Sequence, residues 1–155
     1  VAVNLSSIFY VTRAALPYLR VRGGAIVNTS SISGLAGDAG WSAYNATKAA
    51  VINYTRTLAL DHAREGIRVN AVCPGLIETP LVAGVTDGDL GKRWRATIPM
   101  GRCGQPSEVA KVMAFLASDD ASFMTGSIVV VDGGATAHTG QPNLLAMNSS
   151  HAAAT

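Results

Sequence analysis

From Leu5 the apolar positions Leu5, Ile8, Phe9, Ala15, Leu16 and Leu19, with Thr12 among them, recur at spacings of three and four. That is the stripe of a helix buried along one side. The helical pattern is already running near Val1 with no capping segment before it, so the chain is expected to begin within an element. Gly23 and Gly24 stop this first helix, Ala25 to Thr29 (AIVNT) predicts a short buried strand, and Ser30 to Gly40 is a loop rich in Ser and Gly. Ser42 to Glu65 carries one long amphipathic pattern through Ala46, Ala49, Ala50, Ile52, Leu58 and Leu60, with Gly66 placed as its C-cap. Ile67 to Cys73 (IRVNAVC) is the next strand, ended by Pro74-Gly75.

Leu76 to Arg102, with Gly84, Gly88, Gly91, Pro99 and Trp94, reads as an irregular stretch, long for a connection and so expected to serve as a functional lid. Trp94, Ile98 and Met100 either line a pocket beneath it or anchor it to the core. Pro106-Ser107-Glu108 opens a helix to about Ala117, and Ile128 to Val131 is a buried strand closed by Asp132-Gly133-Gly134. The sequence after it turns to Ala, Ser, Thr, Asn and Gly, so residues 135–155 are expected to form a loose C-terminal tail. Alternation of helices with short apolar strands predicts an α/β fold, a parallel sheet with helices on either side. Three strands are few for a doubly wound sheet, and no internal repeat completes it.

The 155 residues, 48% hydrophobic and 14% charged, suffice for one domain with a sizeable core and not for two. The net charge of +2 comes from dispersed Lys and Arg with no basic run, which argues against a nucleic-acid partner. Val1 to Leu19 is interrupted by Asn4, Ser6, Ser7, Thr12, Arg13 and Pro17, and no apolar run reaches the ~18 residues of a membrane span, so a soluble chain with no membrane partner is expected. Cys73 and Cys103 have no second pair, no CxxC and no His cluster; this speaks against a disulfide framework and a metal site, and for the reducing cytoplasm. The N-x-S/T tripeptides at Asn4, Asn28, Asn45, Asn53 and Asn148 are by-products of composition.

The pair with most chemistry is Tyr44 and Lys48, four residues apart at the start of the long helix and therefore on one face. An ammonium beside a phenol stabilises phenolate, which a proton donor to a carbonyl or acceptor from an alcohol requires. Ser31 lies thirteen residues earlier, just past the C-terminal end of a buried strand, the edge where open α/β sheets bind ligands. His62 lies too far along the helix axis to join them and is assigned a surface role near the helix end. A serine hydrolase is excluded by the absence of a G-x-S-x-G elbow. Gly34, Gly37 and Gly40 match neither phosphate-binding pattern and are loop glycines.

Taken in order, IVNTSSISG, YNATKAA, IRVNAVCPGLIETP and GRCGQPSEVAKVMAFLASDDASFMTGSIVVVDGG resemble the successive motifs of the short-chain dehydrogenase/reductase family, over nearly all of the chain to Gly134. The nearest likeness is to compact members such as 3-oxoacyl-carrier-protein reductases and hydroxysteroid and sugar dehydrogenases. The resemblance implies that residues 1–134 are the catalytic and C-terminal part of a doubly wound, NAD(P)-binding Rossmann-like domain. It implies an oxidoreductase that interconverts a secondary alcohol and a ketone, with Tyr44 as general acid/base and Ser31 bonded to the substrate oxygen. Lys48 would stabilise the phenolate and hydrogen-bond the nicotinamide ribose, and Asn4, in Val3-Asn4-Leu5, would hold a water linking Lys48 to solvent. In Pro74-Gly75-Leu76-Ile77-Glu78-Thr79, the main chain at Ile77 would meet the nicotinamide carboxamide and the Thr79 hydroxyl the cofactor, with Pro74 and Gly75 forming the turn.

The family's opening T-G-x-x-x-G-x-G turn and its N-N-A-G segment do not occur here and would precede Val1. The implied cofactor is therefore NAD or NADP, since the residue that tells them apart follows the family's second strand. The Ala25 to Thr29 strand should then present an open, apolar parallel edge. The family also implies a homodimer or homotetramer through the two long helices, where Ala14, Ala15, Ala46, Ala49 and Ala50 allow close contact. An alternative of another class is a truncated, catalytically inert fragment that acts only in subunit association. A polyketide-type ketoreductase module fits less well, because such modules relocate the lysine held here at Lys48.

Overall fold

Three short runs rich in β-branched residues pair side by side and in parallel in the computed structural model, which describes residues 1–141. Strand β1 (Gly24–Thr29) lies beside β2 (Ile67–Pro74), and β2 beside β3 (Ile128–Val131). The register runs from Gly24 opposite Ile67 to Thr29 opposite Val72, and from Ala71 opposite Ile128 to Pro74 opposite Val131. The central strand is the most buried, with no exposed surface at Ile67, Val69, Ala71, Val72 or Cys73. A parallel strand covered on both faces requires such a run.

Alternation along the strands sorts the helices into two layers. Ile26, Ile67 and Val69 face one way, against Leu16 and Leu19 of α1 (Ser7–Arg22) and Tyr54, Leu58 and Ala59 of α2 (Ser42–His62). Val27, Val72, Val129 and Val131 face the other, against Val109, Val112, Met113 and Leu116 of α4 (Pro106–Ala117). The fold is thus the expected three parallel strands flanked by helices. The buried amide side chains are hydrogen-bonded: Asn28 donates to the Thr55 hydroxyl at 2.9 Å, and Asn70 donates to the Met124 carbonyl at 2.8 Å and accepts the Ser127 N–H at 3.0 Å. Among the described residues the outer side of β1 has no neighbouring strand.

Several boundaries differ from the sequence reading. Residues Ala2–Ser6 form a π-helical turn ahead of α1, and α2 ends at His62, passing into a 3₁₀ turn Ala63–Glu65 before Gly66. The segment Leu76 to Arg102, expected to be irregular, contains helix α3 (Gly88–Ala96). Its glycines and charges conceal any apolar stripe, and the Arg95 guanidinium secures it by donating to the Thr86 carbonyl at 2.6 Å. His62 is buried rather than on the surface: its Nδ1 lies 2.9 Å from Glu65 Oε2, the oxygen that also takes the Arg20 guanidinium at 2.9 Å.

Trp94 and Ile98 anchor this segment, packing with Leu76, Cys103 and Val82, while Met100 is largely exposed beside a shallow cavity. Ala135 packs on the same cluster, and Thr136 donates from its N–H and hydroxyl to Asp132 at 2.7 Å each. The rest of the expected tail, 142–155 with Asn148, lies outside the described residues. Among the described residues no helix is long and apolar enough to cross a membrane, and no group of three or more His, Cys, Asp or Glu side chains could hold a metal ion.

Candidate active site

The C-terminal end of β1 and the first turns of α2 are fastened to each other by consecutive residues. Thr29 offers its carbonyl to the Lys48 ammonium at 3.1 Å, Ser30 donates its hydroxyl to the Lys48 carbonyl at 2.8 Å, and the Ser30 N–H donates across the sheet to Val72 at 2.8 Å. Both ends of Lys48 are therefore referred to the strand. Ser31 caps the 3₁₀ turn Ile32–Gly34, its Oγ accepting the Ser33 N–H at 3.1 Å, which leaves the hydroxyl proton free to donate elsewhere. Gly34 presses this turn onto α2: a Cβ there would stand 2.7 Å from the Lys48 carbonyl oxygen, so only glycine permits the approach.

The Lys48 ammonium stands 5.6 Å from the centre of the Tyr44 ring, as the four-residue spacing requires. Burial lowers the Lys48 pKa from its ordinary value, opposed by attraction to the Cys73 side chain. Cys73, fully buried at the end of β2, has its thiol pushed up by burial, against hydrogen bonding to Ser30 and the Ser31 backbone. Trp41 stands immediately before α2 with its indole edge-on to Tyr44, 5.5 Å between ring centres, and is half-exposed. Neither Trp41 nor Ser30 is marked by the Tyr44–Lys48 spacing, although Ser30 directly precedes Ser31 and Trp41 lies three positions before Tyr44.

Asn4 also reaches α2, but its amide meets the Thr47 hydroxyl at 3.5 Å, and Thr47 in turn donates to the Tyr44 carbonyl at 2.7 Å. Its direct partner is thus Thr47, one residue before Lys48. Pro74 closes β2, and the Gly75 N–H donates to the Val131 carbonyl at 3.0 Å. Ile77 bridges to Gly104 in parallel fashion, and the Thr79 carbonyl accepts the Val82 N–H at 3.0 Å. Tyr44 and Lys48 thus stand together on α2, Ser31 follows directly on Ser30, which is bonded to Lys48, and Pro74 to Thr79 leave the sheet at the same edge, from the neighbouring strand.

Comparison with known proteins agrees with the fold. The family model described as Enoyl-(Acyl carrier protein) reductase matches residues 1–136. The meso-2,3-butanediol dehydrogenase of Serratia marcescens is 48% identical over 143 residues, covering 92% of this chain and 57% of that protein. The crystal structure of gox2181 superposes with a TM-score of 0.83 at 46% identity, covering 87% of this chain and 54% of the other. ElxO with NADP bound superposes with a TM-score of 0.80 at 36% identity, covering 87% and 56%. The chain spans about half the length of the curated relatives it matches. On sequence, fold and match alike, this chain belongs to the short-chain dehydrogenase/reductase family.

Proposed function

We propose that this chain is the catalytic and C-terminal part, residues 1–134, of a single-domain oxidoreductase that interconverts a secondary alcohol and a ketone. The observation that carries this reading is the fastening of Lys48 by Thr29 and Ser30 beside Tyr44 and Ser31, at the ligand-binding edge of the sheet. The donor set fits the nicotinamide end of a dinucleotide: Lys48 spends one of its three protons on Thr29, leaving two for a ribose diol. NAD or NADP, bound there, supplies or accepts the hydride.

The chain's own residues handle the proton and the charge. Tyr44 Oη takes the proton from the alcohol in oxidation and returns it to the carbonyl oxygen in reduction. Ser31 Oγ–H donates to that oxygen and steadies the charge that develops on it. Lys48 stabilises the phenolate in between. Asn4, whose amide meets the Thr47 hydroxyl one residue before Lys48, would hold the water of a proton relay from Lys48 to solvent. After the Pro74-Gly75 turn, the main chain at Ile77 would meet the nicotinamide carboxamide and the Thr79 hydroxyl would contact the cofactor. Two buried thiols, Cys73 and Cys103, both free, favour the reducing cytoplasm.

Val3 of the π-helical turn and Tyr10, Val11, Tyr18 and Val21 of α1 make an apolar face, at least seven-tenths exposed at each of these residues. It supports a homodimer or homotetramer through the two long helices. The same face supports a second reading, an inert association module. Tyr44→Phe in the intact protein separates them: turnover should fall about 10²–10⁴-fold while NAD(P)H still binds in a fluorescence titration. Near-normal turnover in that variant overturns the first reading, and micromolar NAD(P)H binding by the wild type overturns the second.

A further inference from the structure

The segment that follows β2 would swing freely if only the Pro74 turn held it. Instead it is stitched to the start of α4. Gly104 N–H donates to the Leu76 carbonyl at 2.9 Å, and Glu78 N–H donates to the Gly104 carbonyl at 2.9 Å. The two strands of chain approach closely here: a Cβ at Gly104 would stand 2.6 Å from Ile77 Cδ1, so any larger residue would have to push that side-chain end aside. Outside this pair of main-chain bonds sits a chain of charged contacts. Arg102 grips Glu108 with two bonds of 2.8 Å, Glu108 accepts the Gln105 N–H at 2.7 Å, and the Gln105 side-chain amide donates to Glu78 Oε2 at 2.6 Å.

We infer that Gln105, seated by the Arg102–Glu108 pair, is a positioning residue that latches Glu78 and thereby sets the main chain at Ile77 for the cofactor. The inference rests on the reading of Pro74–Thr79 as the cofactor-facing segment. Gln105 touches no reacting atom; it acts on the two residues flanking the bridge. A short bond to a carboxylate is among the stronger side-chain contacts available at a surface, and here its partners are 27 positions apart in sequence. The seat is insensitive to pH in the ordinary range: hydrogen bonds from Arg102 and from the Gln105 N–H hold Glu108 at about 2, with Lys111 adding a smaller attraction.

Gln105→Glu places a second carboxylate against Glu78 without changing size, and Gln105→Met removes the donor at every pH. Amide exchange at Glu78 and Gly104 in the dinucleotide-free protein, corrected for intrinsic rates, reads the latch. NAD(P)H titration reads its consequence. In Gln105→Glu at pH 8 exchange should quicken and the dinucleotide Kd rise by about tenfold each. Both should recover substantially at pH 5, where the facing carboxyls share a proton, whereas Gln105→Met should be impaired equally at both. Turnover at saturating cofactor should hold near the wild-type value. Unchanged exchange in Gln105→Glu overturns the latch, and quickened exchange with an unchanged Kd overturns its role in positioning. A wild type that binds no NAD(P)H overturns the reading beneath both, a result distinguishable from either.

Discussion

The ends of β1 and β2 lie side by side on the same edge of the sheet, yet the chain leaves them in opposite ways. After β1 it turns within three residues and is bound to α2 by polar bonds from Thr29 and Ser30 that converge on Lys48. After β2 it runs out through a long segment containing α3, held by the apolar cluster of Leu76, Ile98, Cys103, Val82 and Trp94, and comes back at Gly104 to pair with the chain just beyond β2. Directional bonds over short loops place an ammonium and a phenol to within ångströms. Non-directional packing over a long loop encloses a volume and tolerates variation inside it. A family that keeps one chemistry while changing substrates has use for both constructions, side by side.

Separate construction implies separate failure, and the sharpest way to break the contrast is at the lid anchor. Ile98→Ala removes a buried side chain and should cost about 2–5 kcal/mol. Limited proteolysis should then cut within residues 81–97 while amides of α2 keep their exchange protection; simultaneous loss of both would show the two regions to be one cooperative unit. On the other side, Gly34→Ala drives a methyl toward the Lys48 carbonyl and should cost about 1–3 kcal/mol, seen as a lower Tm with the proteolytic pattern of the lid unchanged. Ser30→Ala strips the donor from that carbonyl and should cost about 1–2 kcal/mol, with turnover falling further than lid accessibility changes.

The smallest effect is a pH dependence. Glu108, lowered from 4.5 to about 2 chiefly by the Arg102 hydrogen bond, has a folded-state pKa below its unfolded one. Its contribution to stability is therefore present above pH 4.5 and lost as pH falls toward 2. Arg102→Met should flatten the slope of Tm against pH in that window and leave it unaltered between pH 6 and 8. The pair is exposed, so solvent screening keeps the change small.

What could be read from the sequence follows the same division. The strands and the two longest helices announce themselves because each buries one face, and Tyr44 and Lys48 because a helix converts a spacing of four into proximity. Ser31 was found through its place just past a strand. The α3 helix left no such mark: its apolar contact with the core is confined to Trp94, and its stability comes from Arg95 reaching back to Thr86. His62 looked like a surface residue because its partners, Glu65 and through it Arg20, are gathered by the turn after α2. Asn4 was assigned by resemblance, and its contact with Thr47 depends on how α1 crosses α2, which no local pattern encodes. The Gln105 to Glu78 contact joins two exposed polar residues, and nothing in either neighbourhood marks them as partners.

Thr29 gives Lys48 only a carbonyl, and its own side chain is exposed, whereas Ser30 gives a hydroxyl that nothing but a small hydroxylated residue supplies. Adjacent codons therefore carry very different constraints. In a saturation library scored for growth or colour, position 29 should accept most residues other than proline, and position 30 almost none beyond threonine. The position that supplies an essential oxygen would look dispensable, because every amino acid brings that oxygen with it.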